Sequence, residues 1–186
     1  MFSAELSGSG VATAHFSACC VYQGDQLFDF ADVTYRFTGA TAADFDGDRQ
    51  ADMTVFRPST GRWFTLYSRA NYTTGGGASW GLDSDTPVPG DYDGDGRADP
   101  AVYRPSTGQW FILQSTTNYT TSVVVPWGVS TDVPVPGDYD GDGKVDPAVY
   151  RPSTGQWFVL KSTADYTAII VVRWGLSSDT PTNKRP

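Results

Sequence analysis

The chain has 186 residues, of which 20 are glycine, 12 are proline and 14% are aromatic. This composition favours an all-β protein with many tight turns, and the length suffices for one or two domains with a sizeable core. The net charge of −8 argues against the basic patch that nucleic-acid binding requires, and no apolar run approaches the roughly 18–20 residues of a membrane-spanning helix.

Residues 1–40 stand apart from the rest of the sequence and contain two strand-like runs, at 11–22 and 28–37. The two cysteines, Cys19 and Cys20, are adjacent. Neighbouring Cα atoms lie about 3.8 Å apart, below the usual window of roughly 4.4–6.8 Å for a disulfide, so a bridge between these two is not expected. They are either a pair of half-buried thiols or a cross-link to another chain of an exported protein.

From residue 41 onward the sequence repeats every 47 residues, which predicts three units at about 41–87, 88–134 and 135–181. DFDGDRQAD begins at Asp44, DYDGDGRAD at Asp91 and DYDGDGKVD at Asp138. A period of roughly 40–50 residues with several short strands is typical of a propeller blade. The same step relates one arginine and two tryptophans per unit: Arg57, Arg104 and Arg151; Trp63, Trp110 and Trp157; Trp80, Trp127 and Trp174.

The middle repeat is predicted to hold four strands, at 86–91, 100–104, 109–116 and 121–127. The sequence PSTG at 105–108 forms the hairpin turn between the second and third strands, because proline presets φ and glycine accepts a positive φ. In the first repeat, three glycines at 75–77 replace a run of valines, so its fourth strand should be weak or irregular.

Three blades do not close a ring, since propellers usually have about four to eight. The tail, SDTP at 178–181, repeats the SDTP at 84–87 that opens a blade. We therefore predict a composite fourth blade, with its first strand from the C-terminal tail and the others from residues 1–40. It closes either within one chain, as a small ring, or between chains, as a homo-oligomer or filament joined by terminal strands. The sequence leaves both open.

Each repeat places carboxylates at positions 1, 3, 5 and 9 of a nine-residue loop. Alternate spacing in a tight turn lets the side chains converge, and this number of hard oxygen ligands suits Ca²⁺, which accepts about 6–8 of them. The simpler alternative is an Asp-Gly turn whose acids cap backbone amides, but the threefold recurrence favours metal. We predict three Ca²⁺ sites, formed by Asp44, Asp46, Asp48 and Asp52; Asp91, Asp93, Asp95 and Asp99; and Asp138, Asp140, Asp142 and Asp146.

The loop is not an EF-hand, which needs a glutamate at position 12, where the middle loop has Val102. DYDGDGRAD and DYDGDGKVD, with the surrounding period, resemble the FG-GAP (or VCBS-type) repeats of integrin α-subunit propellers and many exported bacterial proteins. The resemblance covers about residues 41–179. It implies a β-propeller with calcium between the first two strands of each blade, an extracellular or cell-surface setting, and roles in adhesion or ligand binding.

The first loop departs from the other two at its sixth position, which is Gly96 and Gly143 in them but Arg49 here. If this position takes a positive φ, a residue other than glycine costs roughly 1–2 kcal/mol. We therefore expect the first site to bind calcium about tenfold more weakly than the others.

Other recurring residues have two readings each. The tryptophans either pack one blade on the next or offer flat platforms for sugars. The arginines either pair with nearby aspartates or bind an anionic ligand. Catalysis has little support, because the single histidine, His15, lies outside the repeats and no nucleophile elbow, phosphate loop or zinc motif occurs.

The sequence thus predicts a non-catalytic, calcium-stabilised extracellular repeat protein. Its expected role is structural or adhesive, with self-association into a surface or filament assembly. The alternative is a lectin-like module that binds glycans between blades.

Overall fold

The computed structural model of the protein describes residues 3–6, 12–15 and 43–182. The chain divides into two units, 1–39 and 40–186. In the first unit, strand β1 (Ser3–Leu6) pairs antiparallel with β2 (Ala12–His15), and the predicted run at 28–37 and both cysteines lie outside the described residues. In the described part of the chain no helix is long and apolar enough to cross a membrane.

The second unit contains three antiparallel sheets in which strands consecutive in the chain are neighbours. Sheets 2 and 3 have four strands each and sheet 1 has three among the described residues, so the all-β prediction is confirmed. Sheet 1 is β3 (Met53–Arg57), β4 (Arg62–Leu66) and β5 (Gly75–Gly76); sheet 2 is β6 (Thr86–Pro87), β7 (Ala101–Arg104), β8 (Gln109–Leu113) and β9 (Ser122–Pro126); sheet 3 is β10 (Val133–Pro134), β11 (Ala148–Arg151), β12 (Gln156–Leu160) and β13 (Ile169–Arg173). Short 3-10 turns at Pro58–Thr60, Ser68–Ala70 and Ser162–Ala164 join some of them.

Sheets 2 and 3 each open on a two-residue strand, β6 or β10, which lies at the end of the preceding 47-residue segment. The homologous tail residues, 178–182, contain no strand. The other strands of the predicted composite blade fall in the first unit, most of which lies outside the described residues. The fourth blade therefore stays a prediction.

The PSTG hairpins are fixed by glycines at their ends. Gly61, Gly108 and Gly155 have φ of +59°, +64° and +63°. A Cβ at Gly108 would lie 2.3 Å from the carbonyl oxygen of Gly128, so this position excludes every side chain. The chain approaches so closely because Gly108 accepts a hydrogen bond from the backbone of Trp127 at 3.0 Å.

The tryptophans join each sheet to the next. Within a sheet, Trp110 Nε1 donates to the carbonyl of Trp127 at 2.8 Å. Trp127 Nε1 in turn donates to the carbonyl of Phe158 in sheet 3, at 3.1 Å. Trp80 of sheet 1 makes the same bond to Phe111 of sheet 2, at 3.0 Å. For Trp80 and Trp127 the packing reading of the tryptophans is therefore confirmed, since their rings join one sheet to the next.

Sheet 1 departs from the other two at its last strand, as its glycines predict. The strand β5 has two residues, whereas β9 and β13 have five each. A Cβ at Gly75 would lie 1.8 Å from the carbonyl oxygen of Thr65. Glycine thus allows β5 to approach β4 closely but supplies no side chains to pack, and the prediction of a weak fourth strand is confirmed.

We expect Gly108→Ala to lower the free energy of unfolding by roughly 3 kcal/mol, because it combines a disfavoured positive φ with a backbone clash. Urea unfolding measures this loss. Gly141→Ala is the matched control, since its φ is +81° but a Cβ there has no neighbour within 4 Å, so only the strain of about 1–2 kcal/mol applies. Equal losses for both variants would contradict the clash.

Candidate metal loops

Three Asp-rich loops occupy equivalent places in the second unit. We call them loop 1 (44–52), loop 2 (91–99) and loop 3 (138–146). Loops 2 and 3 connect the first and second strands of their sheets, and the isolated bridges of Gly90 with Asp99 and of Gly137 with Asp146 close their bases. This is the position that the sequence motif predicts for a metal loop.

The ninth position of each loop is a buried aspartate that serves the backbone. In loop 2, Asp99 Oδ2 accepts the amide of Tyr92 at 2.9 Å and Oδ1 accepts the amide of Ser115 at 2.7 Å. Asp52 and Asp146 make the same two bonds. Each of these carboxylates ties the start of its loop to the turn that follows the third strand. Their side chains therefore have a structural task with or without metal.

The first and fifth positions also hold the turn. Asp91 Oδ1 and Oδ2 accept the amides of Gly94 and Gly96 at 2.6 and 2.9 Å. Asp95 accepts the amide of Arg97 and the hydroxyl of Ser115. Loop 3 repeats these bonds. The simpler reading, in which the acids cap backbone amides, thus accounts for much of each loop.

The third position is the exception, and it is where a cation fits. Asp93 Oδ2 accepts the amide and hydroxyl of Thr116 at 3.1 and 2.7 Å, and Asp140 Oδ2 bonds Thr163 in the same way. The second oxygen of each, Oδ1, is buried and accepts no hydrogen bond of good geometry from the described residues. Burying a carboxylate oxygen without a hydrogen-bond partner raises the free energy of the folded state, because its bonds to water are lost and not replaced.

The third aspartate lies in a group of converging carboxylates in both loops. One oxygen each of Asp91, Asp93 and Asp99 lies within 4.8 Å of the others, and Asp138, Asp140 and Asp146 form the same group in loop 3. Such a set of hard oxygen donors fits a hard divalent cation. Asp95 and Asp142, at position 5, lie outside these groups. In loop 1 the convergent group is Asp44, Asp46 and Asp48, without Asp52.

The pKa values of these carboxylates reflect burial first and the crowding of negative charge second. Burial, reinforced by the charge of Asp93, raises the pKa of Asp99 to about 7 from its usual 3.8. Burial is also the main cause of the raised pKa values of Asp91 and Asp146. A cation bound among them would remove the repulsion and favour the charged form.

Loop 1 has the same backbone path but different chemistry. Arg49 has a φ of +70°, which confirms that the sixth position needs a left-handed backbone. Arg69 stands where loops 2 and 3 have Thr116 and Thr163, and its guanidinium contacts both oxygens of Asp46. The serine and threonine after the third strand were not singled out from the sequence. Their 47-residue recurrence beside the loops was the signal that could have found them.

Successive loops are bonded to one another. The amide of Ala98 donates to the carbonyl of Asp44 at 2.6 Å, and the amide of Val145 donates to that of Asp91 at 2.7 Å. Arg97 adds two bonds from its guanidinium to the carbonyl of Phe45. The three loops therefore form one continuous row along the second unit.

Two of the three recurring arginines pair with nearby aspartates, as one of the two sequence readings expects. Arg104 makes a two-pronged ion pair with Asp85 at 2.8 Å, and Arg151 makes the same pair with Asp132. Both aspartates are fully buried at their side chains. Each pair locks the segment before the first strand of a sheet onto the second strand.

Comparison of the chain with protein-family models, with curated proteins and with solved structures found no match. The resemblance to FG-GAP repeats stays a prediction carried by the sequence motifs.

Removal of the third and ninth loop carboxylates should have different consequences. We expect Asp93→Ala to lower the melting temperature in millimolar calcium but to change it little in chelator. The bonds that Oδ2 accepts from Thr116 are exposed to solvent, so water replaces them at small cost, and Oδ1 has no partner among the described residues. Asp99→Ala should destabilise the protein in both buffers, by about 2–4 kcal/mol, because two buried amides lose their acceptor. Equal losses for Asp93→Ala in both buffers would show that Asp93 supports the turn without metal.

Stability without divalent cations should fall with rising pH. A raised pKa in the folded state means that the contribution of Asp99 is fully present below its unfolded pKa and is lost as the pH rises through about 7. Between pH 5 and pH 8 this amounts to about 2–3 kcal/mol. Melting curves in chelator across this range measure it, and Asp99→Asn should flatten the dependence. A rise in stability with pH would contradict it.

Proposed function

We propose that this protein is a non-catalytic, calcium-stabilised structural or adhesive protein of the cell exterior that associates with further copies of itself. Its sheets act as propeller-type blades, with calcium between the first two strands of a blade. The observation that carries this proposal is that sheets 1 and 3 each present, unmatched by the described residues, one half of the contacts that join successive sheets.

Calcium is the favoured cation for loops 2 and 3. Their convergent groups consist of carboxylate oxygens, and the buried Oδ1 atoms of Asp93 and Asp140 accept no hydrogen bond of good geometry from the described residues. Calcium tolerates about 6–8 oxygen ligands in irregular geometry, whereas Mg²⁺ demands a near-ideal octahedron. Extracellular calcium modules commonly bind at about 10⁻⁴–10⁻³ M, which fits the exported setting that the resemblance implies.

Sheet 3 carries the equivalents of the residues with which sheets 1 and 2 contact the next sheet along the chain. Trp174 is equivalent to Trp80 and Trp127, yet its side chain is 77% exposed. Asp179 is equivalent to Asp85 and Asp132, and like them it accepts a nearby amide, that of Leu176 at 2.8 Å. Trp174 and Asp179 thus offer a following sheet the same groups that join sheets 1, 2 and 3.

Sheet 1 offers the complementary set. The guanidinium of Arg57 lies 4.4 Å from the ring centre of Phe64, as that of Arg104 lies 4.0 Å from Phe111. The residue 47 positions before Asp85 is Thr38, so the carboxylate partner of Arg57 is missing from the motif. Val55 on the same strand is 61% exposed, whereas its equivalent Val102 is fully buried.

A second copy of the chain satisfies both surfaces by the contacts already used within one chain. Trp174 of one copy would donate to the Phe64 carbonyl of the next, and Asp179 would pair with Arg57. Such an interface is head-to-tail, so it generates a ring if its rotation closes and a filament if it does not.

Light scattering in millimolar calcium tests the association. We expect masses well above the 20.1 kDa of one chain, and Trp174→Ala should shift the distribution to single chains because it removes the central aromatic contact. Val124→Ala is the control, since it removes an apolar side chain that is 46% exposed on sheet 2, which lies between sheets 1 and 3 in the chain. A wild-type protein that stays at one chain would overturn the self-association, and glycan screening would then test the lectin alternative.

A further inference from the structure

Loop 1 differs from loops 2 and 3 in the partners of one carboxylate oxygen, Oδ1 of the third aspartate. This is the atom on which the case for a cation in loops 2 and 3 rests. In loops 2 and 3 the third aspartate has a buried Oδ1 that accepts no hydrogen bond of good geometry from the described residues and faces no guanidinium there. In loop 1 the corresponding atom, Asp46 Oδ1, accepts Arg69 Nη2 at 3.2 Å and the amide of Asp48 at 3.1 Å. Arg69 Nε lies 3.1 Å from the other oxygen. The carboxylate that faces a cation in the other loops is therefore already paired.

Burial decides how strongly this pair matters. The side chain of Asp46 is only 4% exposed, whereas that of Arg69 is 55% exposed. Arg69 thus reaches over a buried carboxylate from the solvent side. An ion pair at the surface is weak on its own, but a buried carboxylate that loses its partner is strongly disfavoured. The guanidinium consequently neutralises the carboxylate charge in loop 1, as a metal ion neutralises an Asp cluster.

We propose that loop 1 binds no divalent cation and that Arg69 is its built-in positive charge, so that the chain takes up two Ca²⁺ ions rather than three. This inference rests on the proposed binding of calcium by loops 2 and 3. A cation in loop 1 would have to displace the guanidinium or lie against it, and Coulomb repulsion opposes the second arrangement. The left-handed backbone at Arg49 adds a further cost of about tenfold in affinity.

The arrangement has a structural consequence for the row of loops. Loop 1 is bonded to loop 2 through the carbonyl of Asp44 and the amide of Ala98. A loop 1 that needs no metal keeps this end of the row ordered when calcium is scarce, while loops 2 and 3 respond to calcium. In the row of three loops, loop 1 thus stays ordered without calcium and loops 2 and 3 depend on calcium.

Calorimetric titration of the full chain with CaCl₂ measures the stoichiometry. We expect two ions for the wild type and three for the double variant Arg69→Thr/Arg49→Gly, which restores the residues of loops 2 and 3. Arg62→Thr is the matched control, because it removes the same charge from β4 and leaves Asp46 paired, and it should keep two ions. The reverse change, Thr116→Arg, should reduce the wild-type number from two to one, so that the test does not depend on the folding of one variant.

The outcomes separate the two proposals. Three ions in the wild type would overturn the role of Arg69 and leave the calcium proposal in force. No bound ion in the wild type would overturn the calcium proposal and this inference with it. Two ions in both the wild type and the double variant would also overturn the inference, because removal of the guanidinium would then have created no site.

Discussion

The buried carboxylate at the ninth position of each loop is the constraint on which the rest of the second unit depends. Asp99 accepts amides from Tyr92 and Ser115, which lie 23 residues apart. One side chain thereby fixes the Asp loop against the turn that follows the third strand. This brings the third-position carboxylate and its threonine partner to the same place. The candidate cation site is a consequence of this backbone framework, and the framework rests on hydrogen bonds that need no ion.

Contacts between sheets likewise depend on a few residues that recur in each repeat. Trp127 is held by its own sheet through Gly108 and reaches the carbonyl of Phe158 in the next. The ion pair of Arg104 with Asp85 fixes the strand that opens a sheet. Because each repeat carries both halves of these contacts, the first and last sheets of the described residues each present one half that no described residue matches. The self-association proposed above would reuse these contacts and would need no separate interface.

Loop 1 illustrates how a repeat can change its chemistry and keep its fold. Its ninth-position aspartate makes the same backbone bonds as in loops 2 and 3, so the turn is retained. Arg49 replaces a glycine at the sixth position, and beside the third aspartate an arginine replaces a threonine. A guanidinium and a divalent cation both neutralise a carboxylate, but the guanidinium is covalently attached and does not dissociate. Metal dependence is thus separable from the geometry of the loop.

The sequence by itself determined the 47-residue repeat, the all-β class, the hairpin turns and the weak last strand of sheet 1, because proline, glycine and β-branched residues act locally. It also located the Asp loops and the positive φ at Arg49. Only the tertiary structure decided what each carboxylate does. Asp93 and Asp99 look alike in the motif, yet one keeps an oxygen without a partner and the other bonds two amides. Those partners, like Arg69 beside Asp46, lie up to 23 residues away in sequence, where spacing alone carries no information about contact.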